Sequence, residues 1–366
     1  MIYFDHAATT AMSSAALTVY QRVAQDFYAN SESLHQAGTA AGQLIQEAQQ
    51  QLGQLLNVSG EGLIFTSGGT QANHLGITSL AHGTKKKQIL VSPLEHASVY
   101  QILDYLSTHE AYQIQRLPVD SAGHVTPASL TAALTPETGL IVIQATNPIT
   151  GICQPLPALA AVAQAAGVPL FVDAVQAVGK LPLELTQVAG FSASAHKFNG
   201  PKGCGLLYLA PTALASGPFH PVFQQHGFLP GTLDTPAIVS MVAALALNCQ
   251  DQPAAYRQLA RLKEYLLTHL PAAFTPVAPT AEFPGICGLL LPHHPGQEVA
   301  TILGQQGICL STVSACSLKD PRPDPTLRAL GYSAEEADRF LRVSFGPENT
   351  TAEIDQLVAA LATQAC

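Results

Sequence analysis

Apolar positions along this chain follow two rhythms. Between 35 and 56, Ala37, Ala41, Leu44, Ala48, Leu52 and Leu55 recur at three- and four-residue steps, which lays one apolar stripe on a helix. Residues 13–28 read as a helix in the same way. Short, wholly apolar runs then alternate with helical stretches. Gly62-Leu63-Ile64-Phe65 leads through Thr66-Ser67-Gly68-Gly69-Thr70 into a helix from about Gln71. Gln88-Ile89-Leu90-Val91 is followed by His96-Ala97-Ser98-Val99 and another helix. Leu140-Ile141-Val142-Ile143 runs on to Asn147, with a helix near 156–166, and Val168-Pro169-Leu170-Phe171-Val172 ends at Asp173. Uninterrupted apolar strands alternating with helices predict an α/β fold, a mostly parallel sheet covered on both faces. Such sheets bind ligands beyond the C-terminal ends of their strands, where these polar residues fall.

From about 250 the texture changes. Proline-rich breaks at 271–279 and 292–295 flank apolar runs such as Gly288-Leu289-Leu290-Leu291, and three prolines between 320 and 325 predict an extended, mobile loop. A last helix is expected near 351–362, opened by Thr351 with Glu353 in capping position. The division expected is a large domain over 13–249 and a smaller α+β domain made of 1–12 with 250–366. No internal repeat or low-complexity segment is found.

Composition narrows the function classes. A chain of 366 residues with 47% apolar and 11% charged residues can bury a large core. A formal charge of −9 argues against nucleic acid as a main partner. The absence of any apolar run near the membrane-spanning length, and of a basic-then-apolar leader, suggests neither membrane nor secretion, hence a cytoplasmic protein. The seven cysteines form no CxxC pair, which suits free thiols and offers no usual metal-ligand spacing.

Individual residues suggest chemistry. Lys197, in Ser194-Ala195-His196-Lys197, sits among small and apolar neighbours, where desolvation makes an amine a better nucleophile, although most lysines are simply solvated. Asp173 ends an apolar strand, so it is expected to be buried and in need of a partner, either as a cap or salt bridge or as the carboxylate of a ligand's ring nitrogen. A lysine amine and a carboxylate are the two groups that pyridoxal phosphate requires above all. Gln176 is then placed to bond the ring's phenolic oxygen. Gly69 and Thr70 at a helix start offer N–H groups and a hydroxyl to a phosphate, or form only a glycine-rich turn with Thr70 as its cap. Ser194 and His196 are placed to hold the same phosphate. His96 just after a strand suits stacking on a flat ring, or is an ordinary histidine. Cys316, at the start of the proline-rich loop, is placed for reaction, or is a surface thiol. Arg342 alternates with apolar neighbours and suits a substrate carboxylate, or is a surface charge on a strand.

These residues together resemble the cysteine desulfurases of the NifS/IscS type, within the class V aminotransferases of pyridoxal-phosphate fold type I. The resemblance runs from Asp5-His6-Ala7-Ala8-Thr9-Thr10 through Asn30, His35, Phe65-Thr66-Ser67-Gly68-Gly69-Thr70, Glu95-His96 and Asn147. It continues through Val172-Asp173-Ala174-Val175-Gln176, Ser194-Ala195-His196-Lys197, Gly200-Pro201-Lys202-Gly203 and Gly231-Thr232. Ser314-Ala315-Cys316, Leu327-Arg328-Ala329-Leu330-Gly331 and Arg342 complete it. It implies a large domain with a mostly parallel seven-stranded sheet covered by helices and a smaller α+β domain carrying the catalytic cysteine loop. It implies that Lys197 binds the cofactor covalently and then moves protons, that Asp173 and Gln176 tune the ring, and that His96 stacks on it. Gly69, Thr70, Ser194 and His196 would hold the phosphate. Thr232 would reach the phosphate of a neighbouring subunit in a homodimer, and Asn147 and Arg342 would fix the substrate carboxylate. Cys316 would take sulfur from L-cysteine, leaving alanine and a persulfide for an acceptor such as an iron–sulfur scaffold. Leu229 stands where the family often has arginine, and a chain ending soon after its last helix is expected to offer a reduced docking surface there. Two other readings keep the fold: a related lyase or aminotransferase using the same cofactor (selenocysteine, cystine or cysteine-sulfinate as lyase substrates), and a non-enzymatic partner.

Overall fold

The computed structural model describes residues 1–213, 217–219, 221–313 and 324–363. In chain order the first half runs β1 (Ile2–Tyr3), α1 (Ser14–Asp26), α2 (Gln36–Leu56), β2 (Leu63–Thr66), α3 (Gly69–His82), β3 (Gln88–Val91), α4 (Ala97–Glu110), β4 (Gln113–Arg116), α5 (Pro127–Ala133), β5 (Thr138–Gln144), α6 (Leu156–Ala166), β6 (Leu170–Asp173), β7 (Gly190–Ser194) and β8 (Gly205–Leu209). The second half runs α7 (Thr235–His269), β9 (Thr275–Val277), β10 (Ile286–Leu290), α8 (Gly296–Gln305), β11 (Ile308–Cys309), α9 (Pro325–Ala329), α10 (Ala334–Asp338), β12 (Phe340–Ser344) and α11 (Thr351–Ala362).

Seven strands form the main sheet in the order β2-β8-β7-β6-β5-β3-β4. All neighbours pair in parallel except β8, which runs antiparallel to both β7 and β2. The period-two alternation of strand side chains explains the two buried faces. Phe65, Leu90, Ile141, Ile143, Val172 and Phe191 meet α2, α6 and α7 on one side. Ile64, Ile89, Val91, Val142 and Phe171 meet α3 and α4 on the other. The C-terminal ends of β2, β3, β5, β6 and β7 therefore share one edge.

A three-stranded antiparallel sheet, β12-β10-β9, holds a separate core with α8, α11 and the second half of α7. The chain's start belongs to this core. Strand β1 pairs with β11 through Ile2–Ile308 and Tyr3–Cys309, and Asp5 bridges to Ser344. Helix α7 joins the two cores. Its first half, with Met241 and Leu245, packs on the large sheet, whereas Leu259, Leu262 and Leu266 pack in the second core. The expected domain boundary at 249/250 thus falls inside one continuous helix, close to Pro253, which donates no N–H to it.

Other expectations shift in detail. The loop expected over 320–325 is described only at its end, where Asp324 caps and Pro325 opens α9, a position that suits proline because a first-turn N–H has no helical acceptor. Thr350 rather than Thr351 supplies the cap oxygen of α11, in a reciprocal pair with Glu353.

Candidate active site

The site begins where β2 turns into α3. Gly68 has φ +149°, a backbone state that side chains disfavour, and it places no side-chain cap on the first N–H groups of α3. Backbones crowd there. A Cβ on Gly205 would lie 2.5 Å from the Gly68 Cα, and a Cβ on Gly69 2.6 Å from the Val175 Cγ2. Gly68, Gly69 and Thr70 line a cavity of about 370 Å³ together with Ser194, His196 and Lys202. An uncapped helix N-terminus, hydroxyls and a lysine in one cavity favour an anion with several acceptor oxygens. The His196 Nδ1 lies 3.0 Å from the Thr9 hydroxyl. Burial and the charges of Lys197, Lys180 and Lys202 push its ring down to about 4, so it is neutral at neutral pH.

Asp173 ends β6 and is 2% exposed. Its Oδ2 accepts from the Asn73 Nδ2 at 2.9 Å and its Oδ1 from the Val175 N–H at 3.1 Å. Both donors are neutral. A buried carboxylate with only neutral donors can stabilise a cation placed beside it. Asn73 also donates to the Ser98 Oγ at 3.0 Å, and that hydroxyl lies 2.8 Å from the His96 Nδ1. His96 caps α4, its Nδ1 accepting the Ser98 N–H at 3.1 Å, so the neutral ring carries its proton on Nε2. Burial lowers the His96 ring more than the Asp173 charge restores it. The neighbouring Glu95 accepts the Gln144 N–H at one oxygen and has no partner at the other among the described residues, and burial with the Asp173 charge holds its carboxyl well above the usual range.

Lys197 stands in a tight turn directly after β7, and its Nζ donates to the carbonyls of Ala7 at 2.7 Å and Ala8 at 2.8 Å. The Gln176 Nε2 donates to the same Ala7 carbonyl at 2.7 Å, while its Oε1 accepts from the Lys180 Nζ at 2.9 Å. The segment Ala7 to Thr10 thereby covers the lysine, anchored further by Thr10 on the His196 carbonyl.

Arg342 lies on β12, 3% exposed rather than on the surface. Its guanidinium donates to Asp5 at 2.9 Å and to the Pro148 carbonyl at 3.0 Å, and its buried Nε has no partner among the described residues. Asn147, 3% exposed, holds the turn after β5: its oxygen accepts from Ile149, Thr150 and the Thr150 hydroxyl, and its nitrogen donates to the Leu94 carbonyl and Thr326.

The chain thus gathers Gly69, Thr70, Ser194, His196 and Lys197 at one sheet edge and links Asp173 to His96 through Asn73 and Ser98. Thr232 is exposed, precedes α7 and does not line its own chain's anion cavity. Cys316 lies outside the described residues. Asn73, Ser98, Lys180 and Asp5 were not singled out by the sequence reading as site residues. Asn73 carried one usable signal, since it stands one helical turn beyond Thr70, on the same face. The donor set fits pyridoxal phosphate: an anion cavity for the phosphoester, a carboxylate for a protonated ring nitrogen, and an amine on the same sheet edge.

Comparison with known proteins agrees. The family model "Aminotransferase class-V" matches residues 2–357. The chain is 34% identical over 372 residues to the putative cysteine desulfurase NifS of Bacillus subtilis (strain 168), covering 98% of this chain and 93% of that one. It is 28% identical over 372 residues to the cysteine desulfurase of Homo sapiens, covering 98% and 80%. A solved NifS-like protein superposes with a TM-score of 0.90 at 27% identity, covering 100% of this chain and 98% of that one. SspA, solved in complex with cysteine, superposes with a TM-score of 0.83 at 25% identity, covering 96% and 100%. With a family match over nearly its whole length and relatives a third identical from end to end, the chain belongs to the class V aminotransferase family.

Proposed function

We propose that this protein is a cysteine desulfurase that converts L-cysteine to L-alanine with pyridoxal 5'-phosphate. The observation that carries this reading is the shared sheet edge, which sets a buried carboxylate held by neutral donors beside an uncapped helix N-terminus and the Lys197 amine. When bound, the cofactor supplies an electron-accepting ring that weakens bonds to the substrate carbon it holds. The chain's own groups do the rest. Gly69, Thr70, Ser194 and His196 would hold the phosphate, and Asp173, itself oriented by Asn73, would keep the ring nitrogen protonated. His96, its Nε2 proton fixed by Ser98, would offer the ring a flat face. Lys197 would supply the amine that holds the cofactor and the base that moves protons at the substrate carbon. Gln176 would offer its amide N–H to the ring's phenolic oxygen. Arg342 would turn its guanidinium fork from Asp5 and the Pro148 carbonyl to the substrate carboxylate, and Asn147 shapes the same end.

The sulfur is taken by Cys316. Its thiolate attacks the substrate sulfur, the S–S bond forms as the C–S bond breaks, and the electron pair stays with the carbon, which is protonated to alanine. A persulfide on Cys316 remains for an acceptor protein, such as an iron–sulfur scaffold. Thr232, exposed in the single chain, reaches the phosphate of the second subunit in a homodimer. Among the described residues no helix is long and apolar enough to cross a membrane.

The test is the product. With L-cysteine and a thiol reductant the loaded protein is expected to release alanine and sulfide. Pyruvate and ammonia in place of alanine would identify a simple lyase and refute the reading.

A further inference from the structure

Lys180 is a charged side chain that the proposed reaction does not use, yet it is enclosed beside the reacting amine. It follows the turn after β6, and its Nζ donates to the Gln176 Oε1 at 2.9 Å. The other end of that amide donates to the Ala7 carbonyl at 2.7 Å, and the same carbonyl receives the Lys197 Nζ at 2.7 Å. Two lysines therefore stand at the ends of one hydrogen-bonded chain. They also line one cavity of about 410 Å³ between the two cores.

We propose that Lys180 is a positioning residue for Lys197: it fixes the Gln176 amide and the Ala7 carbonyl on which the Lys197 amine rests, and it sets a second cation in the same enclosed space. This rests on the reading of Lys197 as the amine that joins the cofactor.

The surroundings give that cation little relief. Lys197 and Arg342 repel it, and His6 and His196 both feel its charge. The Phe283 ring centroid lies 5.7 Å from its Nζ. The acids on the same cavity are Glu348, which is engaged with His6, and Asp251 on α7. Burial and the two like charges bring Lys180 down to about 7. Repulsion is mutual, so whatever charge Lys180 keeps makes Lys197 give up its proton more readily. A free amine is the form that attacks a carbonyl. The Gln176 oxygen, held by an N–H donor, also cannot turn toward the Ala7 carbonyl, which keeps the amide in one orientation.

The rate of Lys197 modification by a limiting amine-directed reagent at pH 6, where Lys180 still holds its proton, read by peptide mass spectrometry on the full-length, cofactor-free protein, tests this. In Lys180→Gln, which keeps a donor but no charge, the free-amine fraction at that pH, and with it the rate, is expected to fall about three- to tenfold. Lys180→Arg, which keeps the charge, is expected to stay within about twofold of wild type at pH 6. Lys180→Met replaces Lys180→Gln should that variant not fold. An unchanged rate in the neutral variants overturns the proposal, as does an equal fall in Lys180→Arg. A merely structural lysine would lower stability without changing the rate. Borohydride reduction of the loaded wild-type protein tests the other reading separately: absence of cofactor on the Lys197 peptide removes the cofactor assignment and leaves the amine result standing.

Discussion

The two ends of the proposed site, one assigned to the cofactor and one to the substrate, are built in opposite ways. The cofactor end draws on one sheet: Asp173 ends β6, Ser194 ends β7, Lys197 follows at once, and α3 begins two residues after β2. Ladder hydrogen bonds between neighbouring strands fix these positions relative to one another, so the groups are preorganised before any ligand arrives. The substrate end is assembled from the chain's extremities. Arg342 is held by Asp5, 337 residues away, and Asp5 also accepts from Ser311 at 2.9 Å. Here charges are held by one another, and a substrate carboxylate has to enter an existing ion pair. A sheet edge can hold a cofactor permanently, while an ion pair can exchange one partner for a small anion and release it again.

That contrast predicts separable losses. Lys197→Ala breaks the cofactor end, and alanine release from cysteine is expected to fall by at least about 10³-fold, since the group proposed to hold the cofactor and move protons is gone. Arg342→Lys tests the substrate end alone. It keeps the charge beside Asp5 but loses the fork, so the KM for cysteine is expected to rise about 10- to 100-fold. Cofactor affinity should not change, and an equal loss there would show that the two ends are not independent. Gly69→Ala acts on the anion cavity only. Its Cβ meets the Val175 Cγ2 at 2.6 Å, so one of them must move. Cofactor affinity is expected to fall about tenfold, with an unchanged KM for cysteine in the loaded protein.

A further effect is on stability. Lys180 has an ordinary value of 10.5 and stands at about 7 in the folded chain. Below 7 the folded and unfolded chains both hold its proton, and above 10.5 neither does. Between the two, only the unfolded chain holds it, so stability should rise with pH across that window. Denaturant unfolding of the cofactor-free protein at several pH values should show this rise relative to Lys180→Met, which lacks it.

The sequence exposes the cofactor end better than the substrate end for the same physical reason. Strands β3, β5 and β6 are buried on both faces and read as apolar runs, so the polar residues at their ends stand out. Strand β4, Gln-Ile-Gln-Arg at the edge of the sheet, is largely exposed and carries no such run. Asn73 and Ser98 connect Asp173 to His96 through a neutral amide and a hydroxyl, residue types that mark no motif. The Asp5–Arg342 pair depends on the first strand joining the second core, a pairing that local periodicity does not encode. Lys180 was legible as a lysine near Asp173, but its enclosure beside Lys197 comes only from tertiary packing.

Sulfur transfer to one named thiol is the claim on which the account stands. The loaded protein should be mixed with L-cysteine, without reductant or acceptor, then trapped with an alkylating reagent and mapped by peptide mass spectrometry. The account predicts that the Cys316 peptide gains the mass of one sulfur atom, with alanine formed in step. Alanine formed with no added sulfur on Cys316, or equal sulfur on the other cysteines, would contradict it.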